Sequence, residues 1–401
     1  MFDLHTFLFS ILLAGLVLIG LRTGMLWAMR RHPLISLLIA MSIGTVYRLL
    51  GGPLPDLDAV RGISRFLLGV LAFFAAQQCR VSRLPRISPE VYRFATLGIP
   101  LNCAVFAATG YLVVPGLDLG GLMIVSGALV LGGALAIDRP LLNAPIEEHT
   151  RRAARLESAA VLAVALPIAL VLEAGATVPE IALPLDQTPL FEALAGFAVG
   201  GTAGLLAGRL LKLSDVPVPV LPFLVAGAVF AITTAIGFDG TMALAAAGLL
   251  YSEEAPLRGT VRTRVWRLAE AMIAPVAIAG FGLILGPLIF GADLLIWVAA
   301  AVSLFAARVA SRFALLQTLE LPAPDRTFLS WFGGAPGIAT ILALLSLTAS
   351  PAPLLEESAL TYGAVCVIVG LFSARLSSRL LTQRLVHATA AERKRHRFGT
   401  A

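Results

Sequence analysis

Apolar stretches of roughly 17–25 residues, each long enough to cross a bilayer, follow one another from Thr6 to Leu381 and leave only short loops between them. A chain of 401 residues that is 58% hydrophobic and 13% charged, with a mean hydropathy of +0.90, has too little charge to coat water-soluble domains. This excludes a soluble enzyme. Backbone polar groups inside lipid must satisfy one another, so the spans are helices. The predicted fold class is an all-α polytopic membrane protein of about 13 transmembrane helices, at 6–21, 34–50, 63–79, 94–114, 119–137, 156–174, 190–211, 217–236, 240–252, 267–287, 290–311, 327–348 and 360–382.

The charge that remains is mostly topogenic. Lys212 and Lys394 are the only lysines, and the formal charge of +6 is carried by arginines scattered over short loops, which argues against nucleic-acid binding. With the N-terminus outside, every basic residue except Arg48, Arg61, Arg65 and Arg308 falls on one side, the pattern of positive cytoplasmic loops. The expected topology is N-out and C-in in the inner cell membrane. Asp3 ahead of the first apolar run is unlike a secretory signal, so residues 6–21 read as a first helix. Residues 386–401 form a basic tail with Arg393, Lys394, Arg395, His396 and Arg397, either a lipid-headgroup contact or a solvated end. Cys79, Cys103 and Cys366 are odd in number and lack metal-ligand spacing, and His5, His32, His149, His387 and His396 fall in loops or tails. No cofactor, metal site or enzymatic motif is expected.

Two segments break an otherwise uniform Leu/Ala/Val pattern. The first is Leu131-Gly132-Gly133-Ala134-Leu135-Ala136-Ile137-Asp138-Arg139-Pro140, and the second is Trp331-Phe332-Gly333-Gly334-Ala335-Pro336-Gly337-Ile338-Ala339-Thr340. They occupy corresponding places in the two halves of the chain. In transporters built from inverted repeats, such discontinuous helices cross near the midplane, where freed backbone groups and half-helix dipoles form the substrate site. Small residues that merely permit close helix packing are the plainer explanation of one break alone. The matched pair with Asp138 beside it favours a crossing.

Charges inside the spans are few: Asp138, Glu157, Arg308, with Asp239 and Glu270 near helix ends. Each costs a few kcal/mol unless paired. Arg308 cannot shed its proton, so it needs an acid, and Glu157 is the expected partner in a structural ion pair.

Taken in order, these residues resemble the monovalent cation:proton antiporter superfamily on its sodium/proton exchanger side. Residues 66–86 are similar to the family's third helix and its basic exit. Ala136-Ile137-Asp138 resembles the Ala-Thr-Asp crossing motif. Arg151-Arg152-Ala153-Ala154-Arg155-Leu156-Glu157-Ser158, followed by Ala165-Leu166-Pro167, resembles the basic loop and the Glu-Ser-Leu-Leu-Asn-Asp helix. Gly237-Phe238-Asp239-Gly240 with Ala247-Gly248-Leu249 resembles a ninth-helix segment, Ala307-Arg308-Val309 resembles the arginine motif of helix 11, and residues 331–340 resemble the glycine-rich break of helix 12. The resemblance implies inverted repeats with two crossing discontinuous helices in a transmembrane domain over 1–385. Core helices would occupy about 94–174 and 290–382, and scaffold helices about 6–79 and 190–287. It further implies a homodimer and transport of a monovalent cation coupled to protons.

The departures fall on the ion site. The family's Asn-Asp pair falls on Val161 and Leu162, its crossing threonine on Ile137, and its helix-12 arginine is absent around Ala335 and Pro336. The expected crossing therefore comprises Ile137, Asp138, Val161, Leu162, Gly333, Gly334, Pro336 and Gly337. Asp138 is its one carboxylate, either a group alternating between proton and cation or a partner for Arg139 and the helix dipoles. Two functions stay open: a transporter of a monovalent cation or small solute, or a transport-deficient homologue acting as membrane sensor, regulator or subunit.

Overall fold

In the computed structural model the residues described are 33–53, 55–79, 89–132, 148–176, 189–213, 221–254, 259–319, 321–332, 336–349 and 355–373. Among them are thirteen helices and no strand. They are α1 (Pro33–Leu49), α2 (Leu57–Ala76), α3 (Pro89–Val113), α4 (Leu119–Leu129), α5 (Glu148–Ala176), α6 (Pro189–Leu213), α7 (Leu221–Ala235) and α8 (Gly240–Glu254). Next comes α9, which runs from Gly259–Gly280 through a wide turn at Phe281–Leu285 into Gly286–Phe290. The last four are α10 (Leu294–Leu316), α11 (Ala323–Phe332), α12 (Ile338–Leu347) and α13 (Glu357–Ser373). The expected first helix, 6–21, lies outside the described residues, and the span expected at 327–348 is two helices, α11 and α12, flanking the second break.

Polar residues set where several apolar runs begin. Asp56 accepts a hydrogen bond from the Asp58 N–H at the start of α2, Asp118 from the Gly121 N–H at α4, and Asp239 from the Thr241 and Met242 N–H groups at α8. Each satisfies donors that a helix start otherwise leaves open. Several helices extend past their hydrophobic stretch. α2 starts at 57 rather than 63 and takes in Arg61, α5 starts at 148 rather than 156, α9 at 259 rather than 267, and α10 runs to 316 rather than 311. Arginine is a good helix former and its long stem reaches out of the apolar zone, so a hydropathy boundary stops short of the helix boundary.

Glycine decides the tightest contacts. A Cβ at Gly196, Gly200 or Gly204 of α6 would overlap the backbone of Asp239, Ala243 or Ala247 along α8, and one at Gly248 of α8 would overlap Phe73 of α2. α2, α6 and α8 thus form one block with backbone-to-backbone packing, the small-residue interface that lipid-embedded helices favour. α1 and α9 meet in the same way, at Gly44 against Gly282. α7 packs on the block of α2, α6 and α8, and α11 on α10 and α5. α3, α5 and α13 pack on α4: Gly127 of α4 lies against Ala169 of α5, and Gly363 of α13 against Val125 of α4 and Leu344 of α12.

Candidate functional site

Ile137, Asp138, Gly333 and Gly334 lie outside the described residues. The structure does show the ends of both interrupted segments and brings them together. α4 has only 11 residues and α12 only 10, about 15 Å of helix each, half the hydrocarbon thickness. α4 closes with the Val130 N–H on the Ser126 carbonyl (3.1 Å) and the Leu131 N–H on the Ala128 carbonyl (3.3 Å), and the chain then turns at Gly132 with φ +64°. Only glycine adopts that left-handed conformation without strain. From the other half of the chain, Pro336 and Gly337 lead into α12, whose first intrahelical bond runs from the Ile341 N–H to the Gly337 carbonyl at 3.0 Å. Thr340, fully buried in the first turn of α12, donates its hydroxyl to the Gly132 carbonyl at 3.3 Å. Residues 208 apart in sequence thereby tie one break to the other.

Both ends are polar where the lining is apolar. The first turn of α12 has no side-chain cap, so its N–H groups leave a positive helix end at the crossing, and the last carbonyls of α4 leave a negative one. Pro336 is seated against α13, where a Cβ on Gly370 would come within 2.9 Å of the proline ring. Thr340→Val keeps the side-chain shape but strands the buried Gly132 carbonyl. The expected loss is about 1–3 kcal/mol in thermal or denaturant unfolding, with Thr340→Ser close to the parent.

Val161 and Leu162 are both buried on α5, Leu162 only 3% exposed. One turn before them, Glu157 meets a guanidinium at 2.6 Å, with both side chains 2% exposed. That guanidinium belongs to Arg312. The sequence predicts Arg308 as the partner and counts Arg312 among the loop arginines; the structure buries Arg312, and the Arg308 side chain lies outside the described residues. The two arginines stand one turn apart on α10, and a wide helical turn at Phe305–Ala310 lies between the straight segments, which shifts the register that spacing alone assumes. Arg312 also donates from Nε and Nη2 to the Leu329 carbonyl of α11 at 3.1 and 3.0 Å, and its guanidinium carbon lies 3.9 Å from the Phe94 ring centroid of α3. Ser311 donates to the Asn102 amide oxygen at 2.7 Å. One arginine thus joins α3, α5, α10 and α11 and anchors the helix that runs into the second break.

A narrow, half-open cleft of about 20 Å³, room for about one water molecule, adjoins the crossing. Its walls are Leu68 of α2, Ile124, Ala128 and Leu131 of α4, Ala343 and Ser346 of α12, and the α5 face of Leu166, Ala169, Leu170 and Glu173. Leu162 lies one helical turn before Leu166 on that helix, so the cleft heads toward the position where the resemblance implies a missing carboxylate. Among the described residues no group of three His, Cys, Asp or Glu side chains could hold a metal ion, and the three cysteines are free and buried.

The sequence profile of a family described as sodium/hydrogen exchanger, transmembrane, matches residues 8–378. Two solved structures of the sodium proton antiporter MjNhaP1 from Methanocaldococcus jannaschii share the fold. One, determined at pH 8, superposes with a TM-score of 0.70 at 16% identity, covering 94% of this chain and 99% of that one. The other, an electron-microscopy map, gives a TM-score of 0.67 at 14% identity, covering 94% and 98%. Among curated proteins none matches the chain.

Proposed function

The chain belongs to the sodium/hydrogen exchanger family, and from that premise we propose that it is a multi-pass transporter exchanging a monovalent cation or small solute for protons at the crossing of its two interrupted segments. The observation that carries this reading is the Thr340 to Gly132 bond between the two breaks, flanked by half-length helices with opposed ends. Alternating use of one site needs a group that is negative with the cation and neutral with the proton. Asp138 is the carboxylate available for it, because Val161 and Leu162 stand where the family resemblance implies Asn-Asp. The core helices, about 94–174 and 290–382, move past a scaffold of about 6–79 and 190–287 in an elevator-like step. The glycine-welded α2–α6–α8 block supports that division, because it supplies a rigid surface for the moving part. The protein works as a homodimer in the inner cell membrane, N-terminus outside and C-terminus in the cytoplasm.

The test is purified protein in vesicles with an imposed pH gradient. Sodium, lithium or potassium is expected to elicit proton flux that falls to the protein-free level with Asp138→Asn. Folded protein that gives no flux with any alkali cation would overturn cation exchange and leave the transport-deficient sensor or subunit, the reading that the apolar Val161 and Leu162 favour.

A further inference from the structure

The cleft has a charged mouth. Glu173, near the end of α5, is 5% exposed and contributes its carboxylate to the cleft wall. Its Oε1 accepts from Arg61 Nη2 at 3.0 Å and lies 2.8 Å from Arg65 Nη2, both arginines one turn apart on α2. Arg61 also donates from Nη1 to the Ala349 carbonyl just beyond α12 (3.4 Å), and Arg65 Nη1 lies 3.8 Å from Asp239 Oδ2 at the start of α8. The cluster spans the line along which α5 and α12 face α2. On one side of that line, α2 is fixed to α8 by backbone contact at Gly248 and Phe73. On the other, the facing surfaces border the narrow cleft, so the ion cluster is a polar tie across a contact with a small gap beside it.

We propose that Arg61, Arg65 and Glu173 form an ionic gate that closes the cleft on its face of the membrane and parts when the bundle carrying α5 and α12 moves past α2. This rests on the transport reading above. Closed, the two guanidiniums are held by the Glu173 and Asp239 carboxylates, with Asp58 acting on Arg61 as well. Parted, the two arginines stay with Asp239 on the α2–α8 block, while Glu173 carries its negative charge along the cleft wall, where it attracts a cation toward the crossing.

The gate is tested without any substrate. Ser346, which lines the cleft, is changed to cysteine in a protein whose three native cysteines are replaced by alanine. The protein is then held in nanodiscs that expose both faces, and the rate of labelling by a small charged methanethiosulfonate is measured. Glu173→Gln, and Arg61→Gln with Arg65→Gln, are expected to speed labelling about tenfold by shifting the population toward the open mouth. Arg61→Gln alone, which keeps Arg65 on the carboxylate, should give an intermediate rate and serves if the stronger variants do not fold. The charge-reversed set Glu173→Arg with Arg61→Glu, which leaves Arg65 on Asp239 and keeps the balance of charge, should return the rate to the slow value. An unchanged rate in monodisperse variants, or a reversed set that labels as fast as Glu173→Gln, would overturn the gate. Faster labelling in variants of a protein that shows no cation flux would keep the gate and remove the transport reading.

Discussion

Replacing Arg312 with leucine is expected to lower the stability of the detergent-solubilised protein by about 3–5 kcal/mol, the cost of leaving a buried carboxylate without its partner. Three losses coincide at this residue. Glu157 loses its counter-charge in a helix interior, the Leu329 carbonyl loses both of its donors, and the Phe94 ring loses the cation above it. Glu157→Gln removes only the first partner and leaves the arginine bonded to Leu329, so its effect is expected to be smaller. Combining Glu157→Leu with Arg312→Leu should recover part of the loss, because an apolar pair carries no desolvated charge. The same double-mutant cycle on Glu157 and Arg308 reads whether Arg308, one turn earlier on α10, also contacts the acid. Equal coupling in both cycles would mean that the two arginines share the acid. Because α11 is held through Leu329, the Arg312→Leu variant should also lose transport more steeply than its stability loss accounts for.

What the sequence makes legible here depends on how local the signal is. The two breaks stand out because glycine and proline interrupt long Leu/Ala/Val runs, and the structure brings their ends together. The contact of Glu157 with Arg312 was not legible, since residues four apart share a helix face and the wide turn at Phe305–Ala310 shifts the register beyond it. Thr340 was hidden for a different reason. A hydroxyl in an apolar helix ordinarily bonds back one turn, as Thr96, Thr109, Thr233, Thr327 and Thr361 all do. One turn before Thr340 is Pro336, ahead of the helix, so its hydroxyl is free to reach Gly132 instead. Glu173 gives no signal in the sequence, because its arginines are more than a hundred residues away.

These placements change how the scarcity of charge is understood. In the described interior, Glu157 and Arg312 hold the helix that leads into the second break, and Glu173 lines the cleft. Along the α5 face between them, Leu162, Leu166 and Leu170 replace polarity with bulk. A substrate crossing there meets backbone carbonyls, one hydroxyl and helix ends before it meets a carboxylate on α5. On the proposed reading, charge recognition then falls to Asp138 and to the gate.

Leu162→Asp measures how dry that site is. Leu162 belongs to the packed apolar core, and truncation to alanine alone is expected to cost about 2–5 kcal/mol. An aspartate there is tolerated as the neutral acid and penalised as the carboxylate, by several kcal/mol where water cannot reach it. The loss should therefore be smallest at low pH, where Leu162→Asp melts close to Leu162→Asn, and should grow as the pH rises through neutrality, because the unfolded chain releases its proton more readily than the folded one. Melting curves of the aspartate and asparagine variants between acid and neutral pH read this difference directly, with the asparagine variant correcting for volume and for the other titrating groups. Two variants that melt alike at every pH would mean that water already reaches α5 at this turn, and the apolar residues would then line a hydrated path. Divergence with rising pH would mean that the crossing is sealed from α5 in this conformation, so that a cation reaches Asp138 only after the gate and the helices around it have moved.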